Sequence, residues 1–123
     1  MEKEFTNGEL VRISARLEAA TAKDIVMPPK IAYKIIKNKL AIKQALQAFE
    51  TARNEIIDRE SGGRSTVDAE QEPQLFDKVN KAITEIALER VSLDIVTISL
   101  DDIPEAGVPI SFIAALDFMI EEG

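Results

Sequence analysis

The longest stretch without an internal glycine or proline constrains this chain more than any other feature, because it predicts one helix of unusual length. Pro28 and Pro29 open the stretch, and a proline at the first helical position loses no hydrogen bond. The stretch ends at Gly62, a residue type that suits the left-handed cap of a helix. We predict a helix over 29–59, roughly 45 Å long. One short helix cannot cover that length, so it packs on a later helix, on a second copy of the chain, or on both.

An apolar repeat with a period of seven residues follows this predicted helix. The first position of the repeat is filled by Ile35, Ile42, Phe49 and Ile56. The second position is filled by Ile31, Asn38, Ala45 and Ala52, of which only the asparagine is polar. A repeat of this kind is typical of a coiled-coil seam. It predicts that the first set forms an oligomer seam and that the protein is a homo-oligomer.

Three shorter helices are predicted over residues 7–20, 73–88 and 111–121. The first begins at a capping box, in which Thr6 and Glu9 each bond the other's backbone amide. Phe5 and Leu10 occupy the two apolar positions that flank such a box. The last helix is apolar on nearly every side, which predicts that it is buried.

Residues 90–100 form the one convincing predicted strand. Apolar and polar side chains alternate from Val91 to Ile95, and the alternation then changes phase at Val96. A change of phase predicts a bulge, or a strand that leaves one core and enters another. Because a single strand is not stable alone, it needs a partner. The candidate partners are residues 65–69, residues 24–27 and the same strand of a second copy.

Together these elements predict a mainly α protein with a small β element. The long helix lies centrally, in a helical hairpin or coiled-coil arrangement, and the C-terminal helix is buried. A chain of 123 residues can bury a hydrophobic core without disulfides. We expect a single domain over residues 1–123.

The composition excludes several kinds of catalytic site. The chain has no histidine and no cysteine, which removes the commonest general base, the commonest zinc ligand and every thiolate. The sequence also lacks a glycine-rich phosphate loop, a nucleophile–base pair and a metal-ligand spacing. We therefore expect a protein that is not an enzyme and that uses neither a cofactor nor a metal.

Charge and hydropathy limit the classes of partner. The net charge of −7 argues against non-specific nucleic-acid binding, which needs a broad basic face. No apolar run approaches the roughly 18 residues of a membrane span. The charged N-terminus leads directly into a helix cap, so no signal peptide is expected. These features predict a cytoplasmic protein that does not contact a membrane.

A local concentration of lysine contrasts with the acidity of the whole chain. Five of the 15 basic residues lie between Lys30 and Lys43. The candidate binding residues are Lys30, Tyr33, Lys34, Lys37 and Asn38, of which the three lysines share one helix face. Ammonium groups, the open amides of a helix start and a tyrosine ring predict a site for an anionic, nucleotide-type ligand. The alternative is that the lysines solvate a helix face and pair with surplus acidic residues.

Acidic side chains supply two further hypotheses. Asp101, Asp102 and Glu105 carry oxygen ligands of the kind that Mg²⁺ or Ca²⁺ prefers, but their spacing matches no known ion loop. An acidic surface is formed by Glu2, Glu4, Asp68, Glu70, Glu72, Glu121 and Glu122. Such a surface can mimic nucleic acid toward a basic partner protein, and the alternative is that it only keeps the protein soluble.

Three segments of the chain carry a family resemblance. They are residues 5–10, residues 29–38 leading into 49–53, and residues 98–103 followed by 110–111 and 115–120. In these segments the chain resembles a family of small proteins of unknown function that tailed phages of Gram-positive bacteria encode. The resemblance implies a phage origin and action in the cytoplasm of an infected bacterial host. It implies no activity and transfers no functional residue.

Two functions fit a small, acidic phage protein that is not an enzyme. The first is counter-defence, in which the protein sequesters an anionic nucleotide-type signal or binds a host defence protein. The second is virion assembly, as a tail or head accessory protein. The lysines and Tyr33 favour the first function, whereas the long seam and the unpaired strand favour the second.

Overall fold

The computed structural model describes residues 1–64, 66–104 and 107–121. Its elements follow in the order β1 (Glu2–Thr6), α1 (Asn7–Thr21), α2 (Pro29–Ser61), α3 (Pro73–Ala87), β2 (Arg90–Asp94) and α4 (Ile110–Ala115). The two strands pair as an antiparallel ribbon. The predicted fold class, mainly α with a small β element and a long central helix, is confirmed.

The predicted capping box at the start of α1 is also confirmed. Thr6 Oγ1 accepts a hydrogen bond from the Glu9 amide at 3.1 Å, and Glu9 Oε1 accepts one from the Thr6 amide at 3.1 Å. The bond from the Thr6 amide, together with a second from the Thr6 hydroxyl, favours the ionised carboxylate and lowers the pKa of Glu9. Phe5 and Leu10, on either side of the box, are both buried in the core. The sequence thus fixes where α1 begins.

Replacing Thr6 with alanine is expected to destabilise the protein by about 1 kcal/mol, because the Glu9 amide loses its hydrogen-bond acceptor. Urea denaturation followed by circular dichroism measures the change. Thr51→Ala is the matched control, since Thr51 is exposed within α2 and alanine there favours the helix. Equal unfolding midpoints for Thr6→Ala and the unmodified protein would contradict the stabilising role of the cap.

The long helix α2 has 33 residues and ends two residues later than predicted. Gly62 follows it in the left-handed conformation, with φ of 73°, as expected for the cap. α1 lies beside the first half of α2, where Lys39 Nζ is 3.4 Å from a carboxylate oxygen of Glu18. α3 lies beside the second half, where Lys78 Nζ is 2.9 Å from a carboxylate oxygen of Glu60. Two helices of the same chain therefore cover α2.

The residues predicted to form an oligomer seam lie instead in the core of one chain. The core contains three of the four, namely Ile35, Ile42 and Phe49. The fourth, Ile56, is half-buried near the end of α2. A seven-residue repeat specifies an apolar helix face, but it does not specify which helix covers that face. The assignment of these side chains to an oligomer contact is corrected, because they already pack within the chain.

The pairing of β2 differs from the predicted partners. β2 pairs with β1, in a register that sets Glu2 opposite Asp94 and Thr6 opposite Arg90. Residues 24–27 contain no strand, residues 66–69 form loop and turn, and Ser65 lies outside the described residues. β1 was not predicted because its charged residues hide the strand pattern, and Phe5 is its one buried side chain.

The predicted change of phase marks the end of β2, which stops at Asp94 rather than near residue 100. The chain then leaves the ribbon and enters the core, where Ile95 and Ile98 are both buried. Ile98 pairs with the C-terminal segment: its amide donates to the Met119 carbonyl at 2.9 Å, and its carbonyl accepts from the Glu121 amide at 2.7 Å. Residues 95–98 thus connect the ribbon to the end of the chain.

The C-terminal helix is shorter than the predicted 111–121. α4 ends at Ala115, and Asp117–Met119 form a 3₁₀ turn. The difference follows from the pairing with Ile98, because Met119 and its neighbours direct backbone groups to another segment instead of continuing the helix. Burial of the end of the chain is confirmed for Phe112, Ala115, Leu116 and Met119.

Candidate functional site

The structure places the predicted lysines and Tyr33 on the surface of the first turns of α2. We call Lys30, Tyr33, Lys34 and Lys37 the lysine face. The Tyr33 side chain is 62 % exposed, and Lys37 Nζ lies 5.6 Å from the centre of its ring, within range of a cation–π contact. Lys34 Nζ donates a long hydrogen bond of 3.4 Å to the Thr97 carbonyl. The four predicted residues therefore form one open surface that solvent reaches.

Asn38 does not belong to this surface, and its assignment to the ligand site is corrected. The residue is 1 % exposed, and its side chain faces the core. Its Nδ2 donates to the Val96 carbonyl at 2.8 Å and to Met119 Sδ at 3.3 Å, and its Oδ1 accepts from the Val96 amide at 2.9 Å. The asparagine amide thus satisfies both backbone groups of Val96, as a neighbouring strand would. Asn38 fixes the segment that follows β2.

The helix start offers fewer open amides than the sequence suggested. Pro28 and Pro29 have no amide hydrogen. The amides of Ile31 and Ala32 both donate to the Pro28 carbonyl, at 3.0 Å each. Within the first turn this leaves the Lys30 amide as the one open donor, so the attraction of the helix start for a small anion is weaker than predicted.

The charge of this region is strongly biased. Residues 28–49 contain five lysines and no acidic residue, although the whole chain has a net charge of −7. Among the described residues, only one of these lysines forms an ion pair, between Lys39 and Glu18. The alternative interpretation, in which the lysines pair with surplus acids, therefore describes Lys39 but not the other four. The first half of α2 is a basic surface on an acidic protein.

An apolar strip that the sequence analysis missed lies beside the lysine face. It consists of Tyr33, Ile36 and Leu40, which are 62 %, 53 % and 58 % exposed. Their spacing of three and four residues places them on one side of α2, about a quarter to a half turn from the core. The sequence contains a signal for this strip. Its apolar residues lie outside the seven-residue repeat, so they do not belong to the buried face of α2 and are candidates for exposure.

A groove of about 490 Å³ runs between α1 and α2 next to this strip. It is bordered by Ser14, Leu17 and Glu18 of α1 and by Ile36, Leu40 and Lys43 of α2. Leu17 is fully buried at the floor, whereas Ile36 and Leu40 rise from one wall. We call this feature the α1–α2 groove. The strip and the apolar part of the groove form one elongated surface, and the groove is also lined by polar side chains that include Glu18 and Glu50.

The acidic loop near residue 101 has a local structural role. The Ser99 hydroxyl accepts from the Asp101 amide at 3.3 Å, and the Asp102 carboxylate accepts from the Ser99 amide at 3.1 Å. These bonds cap a short 3₁₀ turn and give the Asp102 carboxylate a local role, whereas Asp101 contributes only its backbone amide. Glu105, the third predicted ligand, lies outside the described residues. Within residues 1–64, 66–104 and 107–121, no group of three acidic side chains converges as a metal site would require.

No protein-family model, no curated protein and no solved structure matches this chain. Among the helices of the described residues, none combines the length and the hydropathy that a membrane crossing requires.

Proposed function

We propose that this chain is a phage-encoded binding protein, not an enzyme, that acts in the cytoplasm of the infected bacterium against a host antiviral defence. The observation that carries the proposal is the surface of the first half of α2. There, lysines without acidic partners surround exposed apolar side chains on a protein whose net charge is −7. Desolvating such a surface is favourable only when a complementary partner covers it.

The geometry supports a defence protein as the target more than a nucleotide-type signal. A site that sequesters a small ligand buries most of that ligand's surface in a concave pocket. Here Tyr33 is 62 % exposed, Asn38 is committed to Val96, and the helix start has one open amide. An open surface of this kind matches a protein partner, which supplies its own covering surface.

Virion assembly is the competing function, and the structure lends it little support. The seven-residue repeat and an unpaired strand favoured it in the sequence. The core of one chain uses the main residues of the repeat, and β2 pairs with β1. The two functions differ in where the protein is found after lysis. A defence antagonist remains free in the lysate, whereas an assembly protein sediments with phage particles.

Reversing two charges of the lysine face tests the proposed function. Lys34→Glu combined with Lys37→Glu is expected to weaken target binding about tenfold or more, because two attractions become repulsions. In a bacterial host that restricts a tailed phage, expression of the unmodified chain should raise the efficiency of plating, and this double variant should not. Far-UV circular dichroism should be unchanged, since Lys37 is exposed and the half-buried Lys34 makes only one long hydrogen bond, to the Thr97 carbonyl.

Lys23→Glu combined with Arg53→Glu is the matched control, because it reverses the same number of charges at two exposed residues outside the first half of α2 that form no ion pair among the described residues. This control should plate like the unmodified chain. Equal activity of both double variants, or recovery of the protein in fixed stoichiometry with purified virions, would contradict the proposal. A large rise in melting temperature with a cyclic or linear nucleotide would move the target from a protein to a small signal.

A further inference from the structure

We infer that the α1–α2 groove and the apolar strip are the docking surface for an acidic amphipathic helix of the partner protein. This inference rests on the proposed function and specifies the chemistry of the partner at that same surface. The partner helix would place apolar side chains on the strip and in the groove. Its carboxylates would lie opposite the lysines on both sides.

The spacing of the strip matches the apolar face of a helix. Tyr33, Ile36 and Leu40 extend over about 10 Å of α2, which is two helical turns. A partner helix that lies in a groove presents anchors with the spacing i, i+3, i+4 and i+7 over a similar length. The groove beside the strip, at about 490 Å³, has room for such side chains. The length and the shape of the surface thus agree with one short helix.

The charges on either side of the strip identify the partner as acidic. Lys37 and Lys30 lie along one side of the strip, and Lys39 and Lys43 lie along the other, because successive residues turn by 100°. Lys39 is held by Glu18, but the remaining lysines have no acidic partner among the described residues. Glu18 and Glu50 also line the groove, so the basic excess is greatest along the border formed by Lys30 and Lys37. An apolar helix face with carboxylates along that border complements this surface.

A second copy of this chain does not fit the same surface. In a two-fold dimer each copy would present the identical patch to the other. That arrangement would bring the basic borders of two strips against each other, and like charges in an interface oppose association. The repulsion disfavours a two-fold dimer through this surface, whereas an acidic helix is attracted to it.

A titration with designed peptides tests this inference directly. The probe is a helical peptide of about 15 residues with leucines at i, i+3, i+4 and i+7 and glutamates beside them. The control peptide has lysine at each glutamate position. In ¹H–¹⁵N correlation spectra, the acidic peptide should shift amide signals of α1 and the first half of α2. Its affinity should fall as salt is added, and the lysine peptide should produce no shifts there.

Two variants localise the contact. Leu40→Glu should weaken binding of the acidic peptide about tenfold or more, because it removes the exposed leucine that the peptide would cover and adds a like charge to the contact. Leu88→Glu is the matched control, since Leu88 is 68 % exposed at the end of α3 and undergoes the same change. Leu88→Glu should bind the peptide as the unmodified protein does. Melting curves of both variants establish that they remain folded.

Several results would overturn the inference. These are shifts that map outside α1 and α2, equal binding of both peptides, absence of binding at millimolar peptide, or equal loss in the two leucine variants. Concentration-dependent dimerisation that Leu40→Glu abolishes would assign the surface to a second copy instead. The titration contains no host component, so its outcome is distinguishable from that of the plating assay. A positive titration with a negative plating assay would keep the docking surface and reject counter-defence.

Discussion

Replacing Asn38 with alanine is expected to destabilise the protein by about 3 kcal/mol. The buried side chain makes two hydrogen bonds with the half-buried Val96, one to its carbonyl and one from its amide. Alanine leaves these backbone groups without partners, and each buried unsatisfied group costs about 1–3 kcal/mol. The loss should also loosen residues 95–98, because Asn38 connects them to α2.

Urea denaturation gives the free energy of unfolding, and hydrogen exchange at the Val96 amide reports the local effect. Asn54→Ala is the matched control, since Asn54 is exposed in the second half of α2. Alanine there should be neutral or slightly stabilising, because it is the better helix former. If Asn38→Ala were as stable as Asn54→Ala, the hydrogen bonds to Val96 would not hold this segment. These hydrogen bonds would then not explain why an asparagine occupies a position of the apolar repeat.

Replacing Ile42 with alanine is expected to cost about 2–5 kcal/mol, which places it with Asn38→Ala among the largest single effects in the chain. Ile42 is 1 % exposed and packs in the core beneath α1. The substitution removes apolar atoms from this core and leaves a cavity that rigid neighbouring helices fill only in part. The unfolding midpoint should fall without a change in the oligomeric state, because the side chain contacts its own chain.

Ile36→Ala provides the comparison on the same helix. Ile36 is 53 % exposed in the apolar strip, so its removal should change the free energy of unfolding by less than about 1 kcal/mol. Sedimentation velocity at several concentrations separates the two possible roles of Ile42. If Ile42→Ala dissociated an oligomer while each protomer kept its stability, the residue would belong to a seam between copies. That result would assign Ile42 to a contact between copies and not to the core of one chain.

The helix boundaries that the sequence predicted best are those set by local chemistry. The capping box at Thr6, the proline pair before α2 and Gly62 after it each act within a few residues, so the chain encodes them without tertiary contacts. β1 and the end of the chain were mispredicted for the opposite reason. Each depends on pairing with a segment far away in sequence, β1 with β2 and Met119 with Ile98.

The candidate site shows the same division. The lysines and Tyr33 could be placed on the surface of α2, because helical spacing alone puts them on one face. Asn38 could not be assigned correctly, because a single asparagine in an apolar repeat is compatible with a ligand contact, a register device or a bond to distant backbone. The apolar strip was missed because an exposed isoleucine or leucine is identified only once the residues that cover the core are known.

The sequence by itself determined the helical class, the length of α2, the capped ends and the local excess of lysine. Each of these follows from propensities and charges that act over one or two turns of the chain. Only the tertiary structure decided which side of α2 is buried by the chain itself, which partner Asn38 bonds and which apolar residues remain exposed. Those outcomes depend on contacts between segments that are far apart in the sequence. A pattern of apolar residues along the chain does not specify which apolar faces will meet.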